Sequence, residues 1–546
     1  MQKVSIVRRL KKCACVSACL LIVVSGCAQR ETPVQIGNRE QILHLGNGSE
    51  PSDLDPHMVT GVTEHNIISA LLEGLLSEDP HNLSPRPGVA ERWTISDDGC
   101  VYTFFLRPDA RWSNGDPLKA GDFVYAFKRM LSPQRGAPYA YMLFCLKNAE
   151  DYNSGKVNDF ADVGVKSTSD IILTLTLTNP VPYFLSLLNH YSWFPVHPPT
   201  IEAFGGMDAI GSSWTHAGNF IGNGAFVLER WEPNQLIVVK KSKTYWDHDV
   251  VNLNEIHFHP IGDHNIEERS FRAGQLHITG TIPIDRIQHY QKTAPDLIRL
   301  DPYLGCYYYL FNVTRPPLDN VKIRRALALA IDRERITKFV SKGGEAPAYC
   351  FTPPDTAGYT ATARLPFDLE KARSILSDAG YPDGQGLPKI RLLYNTSDAH
   401  ARFAQVIQQM WKEGLGIEIE LVNMEWKVYL AATQEKQYDI ARAGWIGDYM
   451  DPATFLDMWV TGGGNNRTGW SNDEYDALIA KAAVTMNTQA RHELFQKAES
   501  ILLKEAPIMP IYFYRSKTLI QPSVRGWHPT ILDHHPYKYV KLVPGS

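Results

Sequence analysis

Short segments of alternating apolar and polar residues are interleaved with capped amphipathic helices along this chain of 546 residues. The alternation in residues 171–178 and 101–106 predicts half-buried strands. Asp368 is placed to cap one helix, and Ser471 with Glu474 forms the pattern of a capping box before another. Because strands and helices alternate, the sequence predicts an α/β protein with mixed sheets covered by helices.

Length and composition set the scale of the fold. At roughly 150 residues per domain, the chain corresponds to about three domains or lobes. Hydrophobic residues make up 44% of the sequence, which is enough for large cores. The net charge of -4, without a basic stripe, predicts no binding to nucleic acid.

The N-terminal segment has the pattern of an export signal. Five basic residues among the first twelve precede a short apolar region, 13–25, that is too short to span a bilayer. It ends in Val24-Ser25-Gly26-Cys27, which resembles a bacterial lipobox. That resemblance implies cleavage before Cys27 and acylation of its thiol, which would anchor the protein without spanning the membrane. A plain secretory signal is the alternative. We therefore expect a signal peptide at 1–26, a lipidated tether at 27–40, and a location in the cell envelope, on the periplasmic or extracytoplasmic face.

Four cysteines follow this segment: Cys100, Cys145, Cys306 and Cys350. Their spacing is wide and contains no CxxC, so it does not predict a zinc site. An exported protein could form up to two disulfides from them, and the sequence leaves their pairing open.

Motifs of catalysis are missing from the sequence. It contains no HExxH, P-loop, GxSxG or SxxK. The pairs His257 with His259 and His534 with His535 could bind a metal, but no convergent acid or cysteine accompanies them. The sequence therefore predicts a protein that is not an enzyme and has no catalytic residues, cofactor or metal.

Residues 441–449 carry Arg442, Trp445 and Asp448 at the end of an alternating run. An aspartate beside an indole and a glycine-rich backbone suits the capture of a primary ammonium group. This favours a binding protein for a ligand with a free amino terminus. A strand end whose charges face water is an equally simple interpretation.

Several motifs resemble a known family. The segments AERWTISDDG (90–99), YTFFLR (102–107), RWSNGDP (111–117) and AGDFVY (120–125) resemble the signature region of family 5 extracytoplasmic solute-binding proteins. Other stretches resemble its oligopeptide-binding members and extend the similarity from about residue 41 to 540: GSE (48–50), LDPH (54–57), NPVPYF (179–184), NGA (223–225), YNTSD (394–398) and ARAGW (441–445).

The resemblance implies a two-lobed periplasmic-binding-protein flytrap (type II, cluster C) with an additional domain. Lobe I would comprise 41–72, 197–304 and 516–546, the extra domain 73–196, and lobe III 305–515. A monomeric receptor, touching the membrane through its lipid only, would bind short peptides as an added strand and deliver them to the permease of an ABC importer. Receptors for murein tripeptides, dipeptides, nickel chelates or sugars are alternatives in the same fold. A surface hydrolase or an adhesin is the alternative from another class.

The resemblance also assigns roles to residues. Asp448 matches the acid that pairs with the peptide ammonium, and Arg442 and His400 match positions that take the carboxylate. Main-chain contacts and pocket walls would come from Gly444, Trp445, Ile446, Trp426, Tyr139, Tyr514 and Val62.

Some positions depart from the family pattern. Thr60 and Leu310 replace acids, Thr433 replaces an arginine, and Ser341, next to Lys342, replaces a lysine. Gly305 and Ile446 stand where enteric relatives have a disulfide. We expect capture of the amino terminus to be retained, while carboxylate capture and preferred peptide length stay open.

Overall fold

Strands and helices alternate through residues 31–543, the part of the chain that our computed structural model describes. The predicted signal peptide and Cys27 lie outside these residues. Within them, the strands are β1 (Ile42–Gly46), β2 (Leu76–Glu78), β3 (Pro85–Pro87), β4 (Ala90–Ile95), β5 (Val101–Leu106), β6 (Val165–Ser169), β7 (Ile172–Thr176), β8 (Phe226–Glu232), β9 (Leu236–Lys241), β10 (Glu255–His259), β11 (Ile298–Phe311), β12 (Ala346–Pro347), β13 (Ile390–Asn395), β14 (Ile419–Met424), β15 (Ile440–Ile446), β16 (Ile508–Leu519), β17 (Val524–Arg525) and β18 (Lys541–Leu542).

The α-helices cover these strands and connect them. In the same residues they are α1 (Pro33–Glu40), α2 (Val62–Leu71), α3 (Ala120–Met130), α4 (Ala149–Asn153), α5 (Phe184–Leu187), α6 (Pro198–Ala203), α7 (His264–Arg272), α8 (Ile284–Thr293), α9 (Val321–Leu329), α10 (Arg333–Ile336), α11 (Leu369–Asp378), α12 (Asp398–Leu415), α13 (Trp426–Gln434), α14 (Ala453–Leu456), α15 (Asp473–Ala483) and α16 (Thr488–Glu505).

Three larger sheets organise the chain. The first has the order β1-β10-β9-β8, with β1 parallel to β10. The second, β4-β5-β7-β6, is antiparallel. The third has six strands in the order β12-β16-β11-β15-β13-β14 and mixes parallel with antiparallel pairs. The prediction of an α/β protein with mixed sheets covered by helices is confirmed.

Two strands of the third sheet cross the predicted lobe boundaries. Residues 304 and 515 lie inside β11 and β16, which pair antiparallel over both halves of their length. Their register is irregular between Pro302 and Cys306. The division into lobes stays a prediction, and two of its boundaries, those between lobe I and lobe III, fall in this strand pair.

A buried ion cluster joins the chain near residue 55 to α3. Asp55 accepts hydrogen bonds from Arg129 at 2.6 Å and from Arg135 at 2.9 Å, and all three residues are buried. Burial by itself would raise the pKa of Asp55, but the two guanidiniums outweigh it and the pKa is lowered. The cluster therefore holds a buried carboxylate in its charged form beside α3.

The structure adds detail to two local predictions. Residues Pro33–Glu40 form a helix that begins with a capping box at Thr32, with Val34 N–H donating to Gly274 O, so the later part of the predicted tether is helical. Helix α15 is capped by Asn472, whose side chain accepts from Tyr475 N–H, because Ser471 lies one residue too early to do so.

Two further features concern the membrane and the thiols. No helix in residues 31–543 combines the length and apolar character needed to cross a membrane. Cys100, Cys145, Cys306 and Cys350 are all free thiols.

Candidate functional site: a deep cleft between the sheets

A cleft of about 410 Å³ brings distant parts of the chain together. This volume lies within the range of small-molecule pockets, about 300–1000 Å³. Its walls include all ten cleft residues singled out in the sequence: Val62, Tyr139, His400, Trp426, Arg442, Gly444, Trp445, Ile446, Asp448 and Tyr514.

Strand β15 forms one wall. Since side chains alternate along a strand, Arg442, Gly444 and Ile446 share one face, and Asp448 follows just past the strand end. A Cβ on Gly444 would lie 2.5 Å from the Tyr514 hydroxyl. Tyr514 can therefore lie across β15 in this way only because residue 444 is glycine. The backbone of Gly444 is exposed.

Asp448 sits at one end of the cleft with its side chain only 12% exposed. Its backbone N–H donates to Thr454 Oγ1 at 2.8 Å, which fixes the turn. Its Oδ1 lies 3.5 Å from the Tyr139 hydroxyl and 3.6 Å from His190 Nε2. Burial raises the pKa of the Asp448 carboxyl to about 7, although His534 and Tyr139 partly oppose the shift.

Three histidines line the cleft together with this carboxylate: His65, His190 and His534. The sequence did not indicate any of them as a cleft residue. Burial, and then the charge of His534, lowers the pKa of His190 to about 3, so its ring is neutral at pH 7. Burial also lowers the pKa of His65, whose ring stacks on His534 at 4.4 Å. His534 is paired with Glu78 at 3.1 Å. Burial alone would lower the pKa of His534, but Glu78 and Asp448 outweigh it and the pKa is raised. Asp448 therefore faces two neutral imidazoles and one imidazole that favours its charged form, and a bound cation would complete this setting.

Arg442 supplies the opposite charge farther along β15. Its guanidinium donates to the Tyr514 hydroxyl at 2.9 Å and to Asn395 Oδ1 at 3.3 Å, and lies 4.7 Å from the Tyr307 ring centre. Its buried Nε has no hydrogen-bond partner within residues 31–543. His400 approaches the Tyr307 hydroxyl at 3.3 Å, and burial and then the Arg442 charge lower its pKa. This end of the cleft is suited to an anion.

A side pocket of about 110 Å³ opens beside Gly444. Trp426, Tyr429 and Leu310 line it, together with the half-buried Arg467. Within residues 31–543, no carboxylate lies within ion-pair distance of Arg467, which donates to Thr433 Oγ1 at 3.2 Å. Leu310 is apolar and offers this cation no counter-ion in the pocket.

The other residues that depart from the expected family pattern do not all lie in the cleft. Thr60 lines both the cleft and the side pocket. Ser341 is buried against Glu345, and neither it nor the exposed Lys342 lines the cleft. Gly305 lies opposite Ile446 in the β11–β15 pair, and Ile446 Cδ1 occupies the space near a Cβ at Gly305. Side-chain packing of Ile446 against Gly305 therefore joins the two strands at this position.

Similarity to known proteins identifies the family. Residues 84–467 match the family described as bacterial extracellular solute-binding proteins, family 5 Middle. The chain is 38% identical over 497 residues to the periplasmic oligopeptide-binding protein OppA of Escherichia coli K12, covering 89% of this chain and 90% of that protein. The chain belongs to this family. The two-lobed architecture is shared with its members, which bind solutes, and the prediction that the protein is not an enzyme is confirmed.

Solved structures of family 5 proteins superpose on nearly the whole chain. The Escherichia coli murein tripeptide binding protein MppA matches with a TM-score of 0.88 at 34% identity, covering 92% of this chain and 99% of that one. Haemophilus influenzae OppA in complex with RPPGFSPFR matches with a TM-score of 0.86, at the same identity and coverage.

A second MppA structure, of the unliganded open form, gives a TM-score of only 0.62 at 34% identity, covering 92% of this chain and 97% of that one. Because identity and coverage hardly differ from the first MppA structure, the lower score reflects a different arrangement of the parts. The present structure does not have the open arrangement.

The burial of Asp448 predicts a pH-dependent stability difference. Its folded pKa, about 7, lies above the ordinary value of 3.8, so its contribution to stability is full below pH 4 and is lost as the pH rises through 7. Asp448→Asn does not titrate. We expect the variant to gain roughly 1–3 kcal/mol relative to the wild type between pH 5 and pH 8. Urea unfolding of ligand-free protein at both pH values measures this, and a difference that does not change with pH would contradict it.

Proposed function

We propose that the protein is an extracytoplasmic receptor that binds short peptides by their free amino terminus and main chain and delivers them to an ABC importer. The observation that carries the proposal is Asp448. It is a nearly buried carboxylate on the cleft wall with no lysine or arginine within 4 Å among residues 31–543. A buried acid is costly unless paired, and a peptide α-ammonium would supply the missing charge.

The spacing of the two charged ends supports short ligands. Asp448 and Arg442 are six residues apart, and an extended strand rises about 3.3 Å per residue, so their Cα atoms lie at most about 20 Å apart. An extended peptide rises at the same rate. The two anchors suit peptides of roughly three to six residues, with the carboxylate toward Arg442 and His400.

A second candidate ligand is a murein peptide. Arg442 and Arg467 are both without a carboxylate partner in residues 31–543, which favours ligands with more than one acidic group. Murein peptides have this character, and the similarity to MppA agrees with it. Ordinary peptides with an acidic side chain meet the same requirement.

Delivery would depend on closure of the lobes around the ligand. The greater similarity to one MppA structure than to its open form supports a closed arrangement here. Tyr139 and His190 approach Asp448 from the predicted extra domain, and His534 contributes from the predicted lobe I. Closure would bring these groups together around the ligand amino terminus.

Asp448→Asn tests capture of the amino terminus. We expect the wild type to bind a trialanine-type peptide and to lose roughly 3–5 kcal/mol of affinity when the peptide is acetylated or when Asp448 is changed to Asn. The two changes should not add, since both remove the same pair. Isothermal calorimetry on the four combinations measures this.

Asp533→Asn is the matched control, because Asp533 also lines the cleft but is already hydrogen-bonded by Ser516 and His535. It should retain the preference for a free amino terminus. Equal binding of acetylated and free peptide by the wild type would overturn the proposal.

Arg467→Met tests selectivity in the side pocket. We expect it to weaken binding of a peptide with one internal glutamate by roughly tenfold, about 1.4 kcal/mol, and to leave the alanine analogue unchanged. Arg391→Met, at an exposed position on β13, should change neither. The same titrations with a murein tripeptide compare the two candidate ligands. An equal loss for the alanine and glutamate peptides would show that Arg467 does not read acidic side chains.

We further propose that Cys27 carries the lipid anchor. The lipobox-like segment before it is the support. Cells expressing the wild type should incorporate labelled palmitate into the protein and retain it in the membrane fraction. Cys27→Ser should abolish the label and release the protein from the membranes. Equal labelling of both proteins would contradict the assignment.

A further inference from the structure

Three imidazoles converge on one face of the first sheet. His257 and His259 are two residues apart on β10, so they project to the same side. The parallel pairing of β1 with β10 places His44 directly beside His257. One ring nitrogen from each of the three histidines lies within 4.8 Å of the others.

The hydrogen bonds fix which nitrogens are available. His257 Nε2 lies 2.7 Å from Glu255 Oε2, so it donates its proton to that carboxylate and its Nδ1 carries the lone pair. His44 Nδ1 and His259 Nε2 are 3.2 Å apart, so one ring can donate a hydrogen bond to the other, and a metal ion would take the place of that proton. This separation is close to that of two nitrogen ligands at about 2.0–2.1 Å from one tetrahedral metal ion.

A fourth histidine, His277, stacks on His44 but is engaged elsewhere. Its Nδ1 accepts from the His44 backbone N–H at 3.0 Å, and its Nε2 lies 3.2 Å from Asn38 Oδ1. Both of its nitrogens are used, so His277 supports the position of His44 and is not a ligand itself.

We propose that His44, His257 and His259 form a site for a late first-row divalent cation, with Zn²⁺ as the preferred ion and water in the fourth position. Neutral imidazoles suit Zn²⁺, Ni²⁺ and Cu²⁺, and Glu255 behind His257 makes the carboxylate–histidine pair that orients a metal ligand. His257 keeps 16% of its side chain exposed, which leaves a route for the ion.

The site is separate from the peptide cleft, since none of the three histidines lines it. The sequence indicates His257 and His259 as a pair but predicts no metal, because the third ligand lies 213 positions earlier and joins them only through strand pairing. A bound ion would link β1, near the chain start, to β10. An ion that binds only the folded state stabilises that state by mass action. This stabilising role of the ion does not depend on the proposed peptide function.

Zinc binding to the tag-free, EDTA-treated protein tests the site. We expect one equivalent of Zn²⁺ to bind by calorimetry, the melting temperature to rise, and Co²⁺ to give the visible absorption of a tetrahedral nitrogen site. His257→Gln and His259→Gln should each weaken binding by more than about a hundredfold, while Glu255→Gln should weaken it by about 10–100-fold. His289→Gln, at an exposed histidine on α8, is the matched control and should bind as the wild type does.

Circular dichroism and peptide binding without metal show that each variant is folded. Zinc binding that is absent in the wild type, or that survives in both His257→Gln and His259→Gln, overturns the proposal. If zinc binding were lost only when the cleft residue His534 is changed, the ion would bind at the peptide site. That result would also overturn the proposal.

Discussion

The antiparallel pairing of β11 with both β15 and β16 is the constraint on which the binding cleft depends. It places Arg442 opposite Tyr309 and Gly444 opposite Tyr307, and the Gly447 N–H continues the contact to Leu304 O at 2.7 Å. A shift of one residue would turn Arg442 and Gly444 to the other face of the sheet. The same pairing brings Tyr514 across Gly444 to Arg442. The strand register therefore determines both the position of the Arg442 guanidinium and the position of the exposed backbone at Gly444.

The charges of the cleft are arranged at its two ends, in environments of opposite character. Burial raises the pKa of Asp448 beside the neutral ring of His190, whereas Arg442 lies among tyrosine hydroxyls and a neutral His400. The charged groups of Asp448 and Arg442 are each partly shielded from water, and neither has a full ionic partner among residues 31–543. A ligand with a free ammonium at one end and a carboxylate at the other would offset both costs. Side-chain identity between the ends then matters less, except where Arg467 faces the side pocket.

The sequence predicted the α/β class, and the ten residues that it singled out line one cleft, because the alternation in β15 and the motifs of the family are local patterns. It could not predict the surroundings of Asp448. His65, His190 and His534 come from three distant segments, and nothing near any of them in the chain indicates that they meet. The cap at Asn472 was missed by one residue, since serine and asparagine are equally good caps and only the backbone geometry chooses between them. The sequence did not indicate His44 for a similar reason. It lies beside His257 and His259 only because β1 pairs in parallel with β10.

Burial of Asp448 connects ligand binding to the arrangement of the lobes. In the present arrangement its pKa is about 7 instead of 3.8, and each tenfold change in an acid dissociation constant corresponds to about 1.4 kcal/mol. Closing the cleft without a ligand therefore costs free energy at neutral pH, because a carboxylate must lose water or take up a proton. A ligand ammonium would remove that cost by pairing with the charge. The register of β11 with β16 is irregular between Pro302 and Cys306, where β11 passes the predicted lobe boundary. Selection for a free amino terminus and closure around it would thus depend on the same carboxylate.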